Sequence, residues 1–125
     1  MKKSTKITDR VKSYEDACSE LGITPIDESQ MLANGFTKDE IAYRKLKTIT
    51  QALNEGWVAD WTDPSQEKWI PWFYMHGSSG FVFDDAYYGC SVAGAGDGSR
   101  LCFKDEKTAT CAGKQFVDLY KEFIL

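Results

Sequence analysis

Ten of the seventeen aromatic residues in this chain, including all four tryptophans, fall between Trp57 and Tyr88. They are Trp57, Trp61, Trp69, Trp72, Phe73, Tyr74, Phe81, Phe83, Tyr87 and Tyr88. Each such ring removes on the order of 150–250 Å² from water when it is buried. A chain of 125 residues must therefore build its core around this block or leave part of it as contact surface. The block also separates two kinds of sequence: helical periodicity precedes it, and short β-like runs fill it.

Residues 1–12 read as a flexible basic arm, and 13–125 as one domain, close to the commonest domain size. The arm carries Lys2, Lys3, Lys6, Arg10 and Lys12 against Asp9. The aromatic block has the opposite sign, with Asp60, Asp63, Glu67, Asp84 and Asp85 against Lys68 alone. Within a net charge of −4, the arm would attract a polyanion and the block would repel one. Met1–Lys6 leads into polar sequence and not into an apolar signal region, which predicts a cytoplasmic protein with reduced cysteines. No apolar run is long enough for a membrane span.

Ser13, with Asp16 three residues on, predicts a helix whose apolar stripe is Tyr14, Ala17, Cys18 and Leu21 and whose end is Gly22. Ile23 to Gly35 is a connection that can hold a helical turn from Asp27. Thr37 and Glu40 form a capping box that opens a second helix ending near Asn54, with Ala42, Leu46, Ile49 and Leu53 inward. Strands are predicted at Trp57–Trp61, Trp69–Met75, Phe81–Tyr88 and Ser99–Phe103. Turns fall at Asp63-Pro64-Ser65 and Gly77 to Gly80, with a glycine-rich loop from Gly89 to Gly98. Pro71 marks its strand as an edge or a bulge. Asp105 caps a last helix running nearly to Leu125. The expected fold is α+β: a small antiparallel meander of three to four strands packed against about three helices, in the order α-α-β-β-β-β-α.

Sequence motifs for chemistry are weak. Gly94-Ala95-Gly96-Asp97-Gly98 precedes a predicted strand, whereas a dinucleotide site needs a helix there. Gly113-Lys114 fails as a phosphate loop, because Thr108 and Gln115 occupy the positions of its first Gly and its Ser or Thr; Gly113 instead allows another element to approach the helix closely. His76 is the only histidine, and no Cys-x-x-Cys or His-x-x-x-His accompanies it. Adjacent Asp84 and Asp85 point to opposite sides of a strand and cannot act as a carboxylate pair. No catalytic residue, metal or cofactor is implied.

Strand alternation buries about half of the aromatic block and leaves the rest outward. The reading is therefore a non-enzymatic binding or assembly protein that contacts a protein partner, or a second copy of itself, through Trp61, Trp69, Trp72 and Tyr74. The alternative is a single-stranded nucleic-acid binder using the same rings, with Arg44, Lys45, Lys47 and Arg100 on phosphates. A small hydrolase around His76 and the aspartates is a weaker alternative.

Ser13-Tyr14-Glu15-Asp16-Ala17, Leu53-Asn54-Glu55-Gly56-Trp57, Pro71-Trp72-Phe73, Gly98-Ser99-Arg100-Leu101-Cys102-Phe103-Lys104 and Ala112-Gly113-Lys114-Gln115-Phe116 together resemble a family of small uncharacterised proteins. These are encoded by gut Bacteroidales and their phages or prophages. The resemblance runs from about residue 11 to the end and departs at the Gly89–Gly98 loop. It implies a phage-associated setting in a bacterial host and transfers no site residues.

Overall fold

The hydroxyl of Ser13 accepts the Asp16 N–H at 3.0 Å and so opens a helix where its spacing predicts one. In this computed structural model, which describes residues 6–76, 80–92 and 100–125, that helix is α2 (Tyr14–Leu21). The Asp16 carboxylate accepts from the Lys12 N–H at 2.9 Å, one residue further back than a regular capping box. Before α2, the one-turn helix α1 (Ile7–Arg10) buries Ile7, and Val11 follows it into the core. Gly22 ends α2 in the left-handed region, at φ 68°. Asp27 caps α3 (Glu28–Ala33). At Thr37 both the N–H and the hydroxyl donate to Glu40, each at 2.9 Å, and α4 (Lys38–Asn54) follows. Ala42, Leu46, Ile49 and Leu53 of α4 are fully buried along one stripe.

The sheet corrects the sequence reading. Among the described residues it has two antiparallel strands, β1 (Lys68–His76) and β2 (Gly80–Gly89), not three or four. Six helices accompany it among the described residues, and the order is α-α-α-α-β-β-α-α. The predicted turn residues Gly77 to Ser79 and the loop from 93 to 99 lie outside the described residues.

Two expected strands are absent for identifiable reasons. In Trp57–Trp61 the backbone is committed elsewhere: the Trp57 N–H closes the end of α4 on the Asn54 carbonyl at 2.9 Å. The Gln66 side chain accepts from the Asp60 N–H at 2.7 Å and donates to the Val58 carbonyl at 3.1 Å. Those are the groups a ladder would need.

Among the described residues, the segment ending at Phe103 makes one bridge to β1. There the N–H groups of Trp69 and Phe103 donate to each other's carbonyls, at 3.0 and 2.7 Å. The next rung of an antiparallel ladder would join Pro71 to Leu101, and Pro71 has no N–H to give. On the other side of Phe103, Asn54 takes the free groups: its amide donates to the Cys102 carbonyl at 2.9 Å, and its oxygen accepts the Lys104 N–H at 3.0 Å.

The long C-terminal helix is also divided. Asp105 caps α5 (Glu106–Gln115), but Phe116 leaves the helical region at φ −113°, ψ 28°, and α6 (Val117–Ile124) starts afresh. Beyond the break α6 packs on α4, with Phe123 stacked on Tyr43 at 5.4 Å.

One face of the hairpin rests on α5 and α6. Phe73 meets Phe81, Phe83 and Tyr120 at ring separations of 4.7, 6.1 and 5.0 Å. Gly113 of α5 lies directly under this layer: a Cβ there would stand 2.5 Å from a ring carbon of Phe83 and 2.9 Å from Pro71 Cβ. The close approach expected of Gly113 is thus to the hairpin. No helix among the described residues is long and apolar enough to cross a membrane.

Candidate functional site

The register of the hairpin decides which rings face out. Trp72 pairs with Asp85, but Phe73 pairs with Phe83, so Asp84 is the extra residue of a bulge. On the face turned away from α5, Tyr74 lies opposite Val82, and Trp72 reaches diagonally to Tyr87 in an edge-to-face contact at 6.1 Å. Trp72, Tyr74 and Tyr87 each keep about half of their surface in solvent, at 47, 50 and 49 %, and Val82 keeps 38 %. The Asp84 carboxylate, followed by partial burial and Asp85, pushes the Tyr87 phenol above its ordinary range. The negative field of the bulge therefore reaches across this apolar face.

The other two predicted rings lie elsewhere. Trp69 is half-buried beside Tyr88, 4.8 Å between ring centres, and its indole N–H donates to the Glu67 carboxylate at 3.1 Å. Trp61 belongs to the loop before β1, and Lys68 holds it there. The Lys68 side chain is 1 % exposed, an unusual burial for a lysine. Its ammonium donates to the carbonyls of Asp63 at 3.1 Å, Gln66 at 2.9 Å and Cys90, and sits 5.0 Å from the Trp61 ring centre. Three carbonyls and a ring face replace the water this cation gives up. Two side-chain turns complete the loop. Asp60 accepts from Thr62 N–H and hydroxyl, and Asp63 from Ser65 N–H and hydroxyl, which holds both carboxyls below their ordinary range.

This loop, α4 and the 100–102 segment enclose a groove of about 410 Å³. Trp57 and Trp61 form one side, Lys47, Thr50 and Gln51 of α4 another, and Arg100 and Cys102 close it. The four predicted basic residues are divided. Lys47 and Arg100 share the groove. Arg44 lines a different depression with Ile26, Met31 and Phe36. Lys45 is tied to Glu28 at 2.6 Å and lies over the Tyr14 ring at 5.7 Å.

Sequence reasoning missed three contributors: Trp57 in the groove, Tyr87 on the hairpin face, and Lys68 as the fastener of the loop. The signal for Lys68 was its position as the sole base in an acidic, aromatic block. His76 pairs through its backbone with Gly80, and its side chain lies outside the described residues. Among the described residues no three His, Cys, Asp or Glu side chains are grouped to hold a metal ion.

Fold and surface together define a small α+β protein with helices on one face of a β-hairpin and exposed rings on the other. Compared with protein-family models, curated proteins and solved structures, the chain matches none.

Proposed function

We propose that this chain is a non-enzymatic binding or assembly protein that takes a protein partner on the outer face of its hairpin. The observation that carries the reading is the exposed face formed by Trp72, Tyr74, Val82 and Tyr87, which keep between 38 and 50 % of their surface in solvent. Aromatic side chains at the centre of a contact patch are the usual anchors of protein recognition. Asp84 and Asp85 border these rings, so the complementary surface carries lysine or arginine among apolar side chains. A second copy brought face to face would oppose those aspartates to their own kind, which favours a basic partner over self-association. A phage or prophage setting in the cytoplasm of a bacterial host is part of the proposal and rests on the sequence resemblance.

Random-peptide selection against the intact protein tests this. Recovered peptides should be rich in Lys or Arg alternating with apolar residues. Their binding should fall about tenfold or more in Trp72→Ser and in Tyr87→Ser, the effect of a modest hot spot. Sedimentation of the free protein should show a monomer. Peptides that ignore both substitutions, or a dimer that Trp72→Ser dissociates, would overturn the basic-partner reading.

A further inference from the structure

We infer that the groove between α4 and the Trp57–Trp61 loop is a nucleotide site: it takes one planar base bearing phosphate, the base on the indoles and the phosphate on Lys47 and Arg100. This site is independent of the hairpin face and of whatever binds there.

The groove is built from the right chemistry. Its volume of about 410 Å³ lies within the range of small-ligand sites, about 300–1,000 Å³. Both charged side chains in its wall are cations, in a chain whose net charge is −4. Arg10, Lys45 and Lys104 are neutralised by Glu20, Glu28 and Glu55 at 2.9, 2.6 and 2.9 Å. Lys47 and Arg100 make no ion pair with any described residue and stand exposed. Two unneutralised cations lining one groove fit a phosphate group, and Arg100 can hold two of its oxygens at once.

The rings are equally available. Neither Trp57 nor Trp61 packs against another aromatic ring among the described residues, whereas most rings of the hairpin do. Lys68 occupies one face of Trp61, and the residue remains partly exposed in the groove wall. A base stacked on indole gains roughly 1–3 kcal/mol without regard to its sequence identity. Gln51 adds a side-chain amide that makes no hydrogen bond to any described residue, a donor and acceptor for a base edge. Thr50, whose buried hydroxyl is also without a hydrogen-bond partner, lies in the same wall.

The walls are fixed before a ligand arrives. Asn54 ties the end of α4 to Cys102 and Lys104, and Lys68 ties the tryptophan loop to β2 through Cys90. Preorganisation of this kind lowers the ordering cost of binding. Only two cations line the groove, so it accommodates the phosphate of one nucleotide and not a long backbone track.

Tryptophan emission of the full-length protein, titrated with adenosine 5′-monophosphate, with adenosine, and with a short oligodeoxyadenylate, tests the site. The monophosphate should quench saturably and bind at least about tenfold more tightly than adenosine, the worth of one charge-assisted contact. In Lys47→Gln/Arg100→Gln, altered at exposed positions so that circular dichroism should match the parent, the two should bind alike. Trp61→Leu should weaken both. Equal affinity for oligomer and monomer identifies a free nucleotide as the source. A tighter oligomer, with a log–log salt slope no steeper than about 1.4 for two phosphates on a single strand, identifies a strand end. No saturable quenching, no advantage of phosphate, or unchanged binding in Lys47→Gln/Arg100→Gln overturns the inference.

Discussion

The ammonium of Lys68 lies 5.0 Å from the centre of the Trp61 ring while it donates to the carbonyls of Asp63, Gln66 and Cys90. One side chain thereby joins the loop before β1 to the residue after β2. Lys68→Met keeps the apolar stem and strands the three carbonyls. It should cost about 3 kcal/mol, since an unsatisfied buried group costs about 1–3. Urea unfolding followed by tryptophan emission measures this. A loss below about 0.5 kcal/mol, the scale of an ordinary surface substitution, would mean the carbonyls find equivalent partners without the lysine.

Gly113→Ala sets helix propensity against packing. Removing a mid-helix glycine is worth up to about 1 kcal/mol. The new methyl, however, would sit 2.5 Å from Phe83 Cδ1 and 2.9 Å from Pro71 Cβ, and overpacking of this kind costs about 1–3 kcal/mol. Packing should win, with a net loss of about 1 kcal/mol or more. Phe83→Leu in the same chain should return part of it, and an additive double variant would show that the contact is not the cause.

Tyr120 carries a buried hydroxyl with no hydrogen-bond partner among the described residues, and burial pushes its phenol well above the ordinary 10.0. The folded state thus disfavours the phenolate. The neutral form's share of stability is complete below the unfolded value and declines as pH rises past it. Tyr120→Phe should be neutral or stabilising by about 1 kcal/mol at pH 7. Above about pH 10 it should lose less stability than the parent. Identical alkaline profiles would contradict the burial of this hydroxyl.

Asp60 and Asp63 move the other way. Their carboxyls are held low by Thr62 and Ser65. The stabilisation they give is present above the ordinary 3.8 and fades as pH falls through the folded values. Asparagine retains the turn geometry without the titration. Asp60→Asn/Asp63→Asn should be less stable than the parent near neutrality, should approach it as the parent's carboxyls protonate, and should show a flatter loss between about pH 4 and pH 2. Chemical unfolding across that range reads the difference.

Local signals in the sequence were reliable guides to the structure. Ser13, Gly22, Thr37 and Glu40 act through neighbours a few residues away, and the helices start or stop where they stand. The runs Trp69–Met75 and Phe81–Tyr88 lie within the two observed strands. Distant partners decided the rest. Alternation at Trp57–Trp61 suggested a strand, but Gln66 takes up its backbone groups. Pro71 was visible as an edge residue, yet that it blocks the rung to Leu101 follows only once Phe103 is known to lie beside Trp69. The candidate rings were scattered for the same reason: chain proximity placed Trp61 with Trp72, whereas the fold puts one in a groove and the other on the hairpin. On α4, Lys45 and Lys47 are near neighbours in sequence, but Glu28 draws one away and the other lines the groove with Arg100.

Asn54 has a consequence for how the chain can vary. Its amide holds residues 48 and 50 positions further along, so the tryptophan loop and the hairpin form a closed excursion pinched at its base. Closing a loop depends only logarithmically on its length, about 0.6 kcal/mol for each doubling. Added or deleted residues in its loops, away from the hairpin face that packs on α5 and α6, bear lightly on the helices beneath. The loop surfaces can therefore be remodelled while the base, pinched by Asn54 and the Trp69–Phe103 bridge, stays as it is.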